Sequence, residues 1–194
     1  MRINLKDHLF TCGTSLVLHG KKDLTDNDFG QLRDFSDKQR ASIKAVVLSN
    51  THISGACFPH LALLPNLEAL YCGGTQVTDD APFYLLTKSI ETINLDRTKI
   101  SDGCISNLTK LKRLRLLSLR ETRITDSGLH RLGALPSLRE YYLNDTIVSA
   151  FAKQRLGNAI KLKDLTFATA PYLLLCFMQF GAGKIGRFIR HYRD

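Results

Sequence analysis

Three sets of residues in this 194-residue chain have types and spacings that invite a chemical reading: five cysteines, six histidines and a glycine-lysine run near the C-terminus. Metal binding needs ligands in clusters. The chain holds no C-x-x-C, and Cys57 with His60 supplies one pair of ligands only. An odd number of cysteines also argues against a disulfide framework. The histidines at 8, 19, 52, 60, 130 and 191 form no H-E-x-x-H, and no serine elbow accompanies them. Gly181-Ala182-Gly183-Lys184 has the end of a phosphate loop, but Met178 stands where its first glycine belongs and Ile185 where its Ser or Thr belongs. Asp79-Asp80 and similar carboxylate pairs sit at helix starts, where they serve as caps and dipole partners. The expectation is therefore a non-enzyme: no catalytic residue, no metal, no cofactor and no small-molecule substrate.

The elements that would position any site come from a repeat. An apolar frame begins at Ile43, Leu67, Ile90, Leu114, Leu138 and Leu162, with spacings of 24, 23, 24, 24 and 24 residues. Counting that residue as zero, offsets three and five are apolar again: Val46 and Leu48, Leu117 and Leu119, and in the last copy Leu165 and Phe167. Offset eight is threonine in five copies (Thr51, Thr75, Thr98, Thr122, Thr146) and Ala170 in the last. Offset ten is apolar throughout. Alternation at offsets three and five requires a short strand. A turn and a helical return follow, as in Thr125-Asp126 before Leu129, Leu132 and Leu135. Such a unit cannot bury its own apolar face and must stack on its neighbours. Cys72 takes a strand core place, and Cys57 and Cys104 align with Ala81 and Gly128 in a row of small residues. Buried reduced thiols are expected there. The threonine hydroxyls, which both donate and accept, are expected to satisfy buried backbone groups at the turn.

These residues resemble the leucine-rich-repeat family, whose signature is L-x-x-L-x-L-x-x-N/T/C-x-L. Thr122-Arg123-Ile124-Thr125-Asp126-Ser127-Gly128-Leu129 matches its T-x-I-T-D-x-G-L flavour, which looks like the short repeats of bacterial proteins and the cysteine-containing repeats that accompany F-boxes. The resemblance covers roughly residues 43 to 172. A degenerate earlier copy shows Leu18, Leu24-Thr25-Asp26 and Phe29 in matching places. It implies an α/β solenoid, a curved right-handed horseshoe with parallel strands on the concave face and helices on the convex face. It implies binding rather than catalysis, since repeats of this kind serve many partners. Residues 1–42 do not look like an F-box.

The frame also says which residues face away from the core on the strand side. Offset four reads Val47, Tyr71, Asn94, Ser118, Tyr142 and Thr166, and offset six reads Ser49, Gly73, Asp96, Arg120, Asn144 and Ala168. Offset seven adds Asn50, Gly74, Arg97, Glu121 and Asp145. Tyrosine and arginine are enriched where interfaces concentrate their binding energy. Tyr71, Asn94, Asp96, Arg97, Ser118, Arg120, Tyr142 and Asn144 are therefore the expected partner-binding residues, for a protein or peptide held on the concave face. The bland alternative is a polar face that only keeps the sheet soluble.

Charge supplies a second reading. The net charge is +9. Offset one turns basic in the second half with Arg115, Arg139 and Lys163, and the tail adds Lys184, Arg187 and Arg190. Ile185, Phe188, Ile189 and Tyr192 would line one side of a tail helix and the cations the other. That pattern suits an anionic partner, nucleic acid or a membrane surface, ranked behind the protein partner. The competing account is a capping helix that leaves its charges in water. The expected organisation is an N-terminal cap with a degenerate repeat over 1–42, repeats over 43–172, and a C-terminal cap with basic tail over 173–194. Met1 to Asp7 lacks an apolar secretory core, and no apolar run approaches the roughly 20 residues that span a bilayer. A cytoplasmic location is expected.

Overall fold

The structure, a computed structural model, describes residues 3–9, 14–86, 89–133, 135–157 and 161–162. Its framework is one sheet of seven parallel strands in sequence order: β1 (Ser15–Val17), β2 (Ala45–Val47), β3 (Ala69–Tyr71), β4 (Thr92–Asn94), β5 (Leu116–Ser118), β6 (Glu140–Tyr142) and β7 (Lys161–Leu162). Each strand is three residues long or shorter because only offsets two to four are extended before the chain turns. From β1 to β6 the register follows the frame: Leu16 pairs with Val46, Val46 with Leu70, Leu70 with Ile93, Ile93 with Leu117, and Leu117 with Tyr141. The degenerate first copy is thus a full member of the sheet. This is an α/β solenoid, with a parallel strand and a return segment in each unit.

The last unit departs from the frame. Tyr141 pairs with Leu162, not with Leu165, so the register slips by three residues. Lys161-Leu162 and Asp164-Leu165 both repeat the charged-then-apolar order of Glu140-Tyr141. Both put a leucine at the offset the frame keeps apolar, and sequence alternation alone does not choose between them. The expectations for Ala170, for the tail helix and for the glycine-lysine run fall outside the described residues.

The returns are shorter than a helical reading implies. Leu5–His8, Asp26–Asp34, Phe83–Leu86 and Asp102–Cys104 are 3-10 turns. The α-helices are α1 (Asp37–Ser42), α2 (Phe58–Leu61), α3 (Ile105–Leu108), α4 (Asp126–Leu132) and α5 (Ala150–Gly157). A repeat of about 24 residues leaves room for one or two helical turns once strand and bends are placed. Between sheet and returns runs one continuous core, with Val46, Leu70, Ile93, Leu117 and Tyr141 all fully buried. Each such aliphatic side chain contributes about 1.5–3 kcal/mol by leaving water. Phe58 and Phe83 meet edge to face at 5.2 Å between ring centroids and tie the second return to the third.

Two polar rows lock the turns. Every threonine at offset eight donates its hydroxyl to the carbonyl three residues back: Thr51 to Leu48 and Thr75 to Cys72 at 2.6 Å, Thr98 to Leu95 at 2.6 Å, Thr122 to Leu119 at 2.5 Å and Thr146 to Leu143 at 2.7 Å. The row therefore closes each turn within its own repeat. Connection between repeats comes from aspartates. Asp26 accepts from the Ser54 N–H (3.1 Å) and hydroxyl (2.9 Å) and from the Cys57 N–H (2.9 Å). Asp79 does the same for Ser101, Asp102 for Thr125 and Asp126 for Ser149. These carboxylates, read from sequence as caps of their own helices, cap the return of the following repeat. The small-residue row follows from this, since a β-carbon on Gly128 would stand 2.1 Å from the Asp102 carboxylate. Between the repeats of β2 and β3 the link is missing among the described residues: Gly55 occupies the aspartate position of its repeat, at φ 101° and packed against Ala81.

Candidate interaction face

The strand side carries a connected polar network centred on Asp96. Its Oδ1 accepts from the Ser118 hydroxyl at 2.5 Å and from the Arg120 N–H at 2.9 Å, and its Oδ2 accepts from the Asn94 amide at 2.9 Å. The Asp96 N–H in turn donates to Asn94 Oδ1 at 3.2 Å. The Arg120 guanidinium lies 5.7 Å from the Tyr142 ring centroid, a cation–π distance. Five of the eight residues expected to bind a partner, on β4, β5 and β6 and the turns after them, are thus joined in one chain of contacts. Tyr71 lies opposite Asn94 in the register. Asn144 stands at the far end, with its Oδ1 buried and without a hydrogen-bond partner.

Two glycines make room for side chains on this face, one of them in the network. Gly73 lies under the Asn94 amide, where a β-carbon would approach Oδ1 to 2.7 Å. Gly74, at φ 69°, lies beside Asn50, where a β-carbon would come within 2.3 Å of Oδ1. The first is a close approach; the second also needs the left-handed conformation.

The exposed surface differs from the expected one. Tyr71, Ser118 and Tyr142 lie on the strand face yet are 7%, 1% and 4% exposed. Each stands between equivalent rows on strands about 4.8 Å away, and Ser118 and Tyr142 are further engaged by Asp96 and Arg120. Asn94, Asp96, Arg120 and Asn144 are half-buried. Full exposure begins at the turn, with Arg97, Glu121 and Asp145. Of the eight, Arg97 alone is exposed. The three tyrosine and serine side chains support the face more than they present it.

The residues of the anionic-partner reading are placed as follows. Arg115 lies 3.5 Å from Glu91, which also meets Arg113 at 3.3 Å. Lys44 and Glu68 are paired likewise at 3.2 Å. Arg139 is exposed. Lys163, Lys184, Arg187 and Arg190 lie outside the described residues. No helix among the described residues is long and apolar enough to cross a membrane.

The thiols of Cys57, Cys72 and Cys104 are buried. Burial pushes Cys57 and Cys72 well above the ordinary thiol range, and pushes Cys104 up to about 12 with help from Asp79 and Asp102. Among the described residues, no three His, Cys, Asp or Glu side chains gather as a metal site.

Sequence reasoning passed over two features. One is the aspartate link between repeats, signalled by the recurring Ser/Thr-Asp pair. The other is the backbone at offset seven. Gly20, Asn50, Gly74, Arg97, Glu121 and Asp145 all have φ between 50° and 69°. The glycine and asparagine residues in that row were its signal.

No protein-family model matches the chain, and no curated protein matches it. Among solved structures, it is similar to a leucine-rich-repeat protein of Leptospira interrogans, at 19% identity and a TM-score of 0.47 over 66% of this chain and 33% of that one. It is also similar to an internalin of Listeria monocytogenes, at 14% identity and a TM-score of 0.42 over 64% of this chain and 48% of that one. The chain spans less than half the length of either.

Proposed function

We propose that the chain is a non-catalytic interaction module that binds a protein or peptide on its strand face, around the Asp96 network and the turns that edge it. The observation that carries this reading is the connected set Asn94, Asp96, Ser118, Arg120 and Tyr142. It positions half-buried hydrogen-bonding groups and one arginine on consecutive strands. Pre-ordering of that kind lowers the side-chain entropy lost on binding. Arginine stacked on an aromatic ring is also a frequent energetic centre of interfaces. The anionic-partner reading is second, because Arg115 is already engaged by Glu91.

The test is affinity capture from nuclease-treated lysate with wild type and Arg120→Glu, folding being checked by circular dichroism. A protein retained by wild type and lost from the folded variant supports the reading. Equal retention by both overturns it.

A further inference from the structure

The turn after each strand places its offset-seven residue in the left-handed region, and its N–H then donates to the next repeat. Arg97 N–H reaches the Arg120 carbonyl at 2.9 Å, and Glu121 N–H reaches that of Asn144 at 3.1 Å. Four of the six residues in this row are Gly, Asn or Asp, the types that tolerate this conformation. Arg97 (φ 53°) and Glu121 (φ 50°) are not. Both side chains are exposed, and neither makes a hydrogen bond or an ion pair with another of the described residues. The fold gains nothing from them that asparagine would not supply, as Asn50 shows in the same row. An exposed mutual ion pair would contribute little. Strained backbone kept without an internal reason points to use.

Their surroundings indicate what they meet. They sit on consecutive repeats, about 4.8 Å apart along the sheet. Lys99 and Arg123, two residues further along the same turns, are also exposed cations. The strip therefore holds three cations around Glu121, with Asp145 the next exposed residue of the row beyond it. Glu121 would repel a phosphate backbone, whereas a polypeptide can answer both signs.

We propose that Arg97 and Glu121, flanked by Lys99 and Arg123, form a charge-reading strip for an acidic polypeptide segment carrying one basic side chain. This rests on the strand-face reading and names the class of partner.

The experiment selects peptides from a random library on wild type and on Arg97→Glu/Glu121→Arg, with Arg120→Glu as a third bait. A short single-stranded oligonucleotide serves as the competing probe. Thermal melts of Arg97→Asn/Glu121→Asn accompany it. The expected outcome is that wild type enriches acidic peptides with one Lys or Arg, and the charge-swapped bait enriches peptides with the order of charges reversed. The asparagine variant melts at the same temperature or about 2–4 °C higher, and binds the wild-type peptide about tenfold more weakly or worse. Peptides lost on Arg120→Glu but indifferent to the swap overturn the strip and leave the strand-face reading standing. Peptides indifferent to every variant, or none at all, overturn both. Retention of the oligonucleotide in place of peptides also overturns the strip. A melt several degrees lower for the asparagine variant would show that the two side chains are structural.

Discussion

Asp102 caps a return that is not its own: its carboxylate accepts from the Thr125 N–H at 2.9 Å, the Thr125 hydroxyl at 2.5 Å and the Gly128 N–H at 3.1 Å, all in the next repeat. Asp26, Asp79 and Asp126 repeat the relationship. Short helices have unsatisfied N–H groups as a large share of their backbone, so a cap from outside matters more to them than to long ones.

Asp102→Ala should therefore destabilise the chain by about 1–3 kcal/mol. Asp80→Ala, at an exposed carboxylate one residue past a linking aspartate, should change stability by no more than about 0.5 kcal/mol. Urea denaturation of both variants checks this. Equal effects would deny the link its role.

The same relationship has a pH signature at Asp126. Hydrogen bonds from the Ser149 hydroxyl and N–H hold its carboxyl below the ordinary aspartate value. A depressed folded pKa means that the contribution is fully present above the unfolded value, about 3.9, and is lost as pH falls through the folded value. The stability difference between wild type and Asp126→Asn should be constant at neutral pH and shrink on the acid limb below about pH 4. Thermal melts across that range read it directly.

Much of the fold was legible because a leucine at the wrong offset would expose itself. Val46, Leu70, Ile93 and Leu117 each pair where the frame puts them. The final register was not legible, because Lys161-Leu162 and Asp164-Leu165 satisfy one alternation equally well. Polar chemistry was legible only in part. Residue types place a Thr or an Asp at a turn, but not whether its partner lies in the same repeat (Thr122 to Leu119) or the next (Asp102 to Thr125). On the strand face, offset separated outward from inward residues. It could not show that Tyr71, Ser118 and Tyr142 would be buried while Arg97 was left open.

The thiols offer an independent check on the core. Cys57, Cys72 and Cys104 are fully buried, and burial pushes the Cys104 thiol up to about 12, which disfavours the reactive thiolate. In a Cys12→Ser/Cys176→Ser background, a disulfide reagent should label none of the three in native buffer. It should label all of them on unfolding in urea. Rapid native labelling would contradict the packing described.

In the proposed function the strand side, not the helical side, meets a protein. A photo-crosslinking amino acid placed at Arg97 on the turn beside β4, and separately at His130 on the exposed side of α4, tests it in nuclease-treated lysate. A discrete crosslinked protein is expected from position 97 that disappears with Arg120→Glu, and none from position 130. Crosslinks from position 130 alone, or from neither, would contradict it.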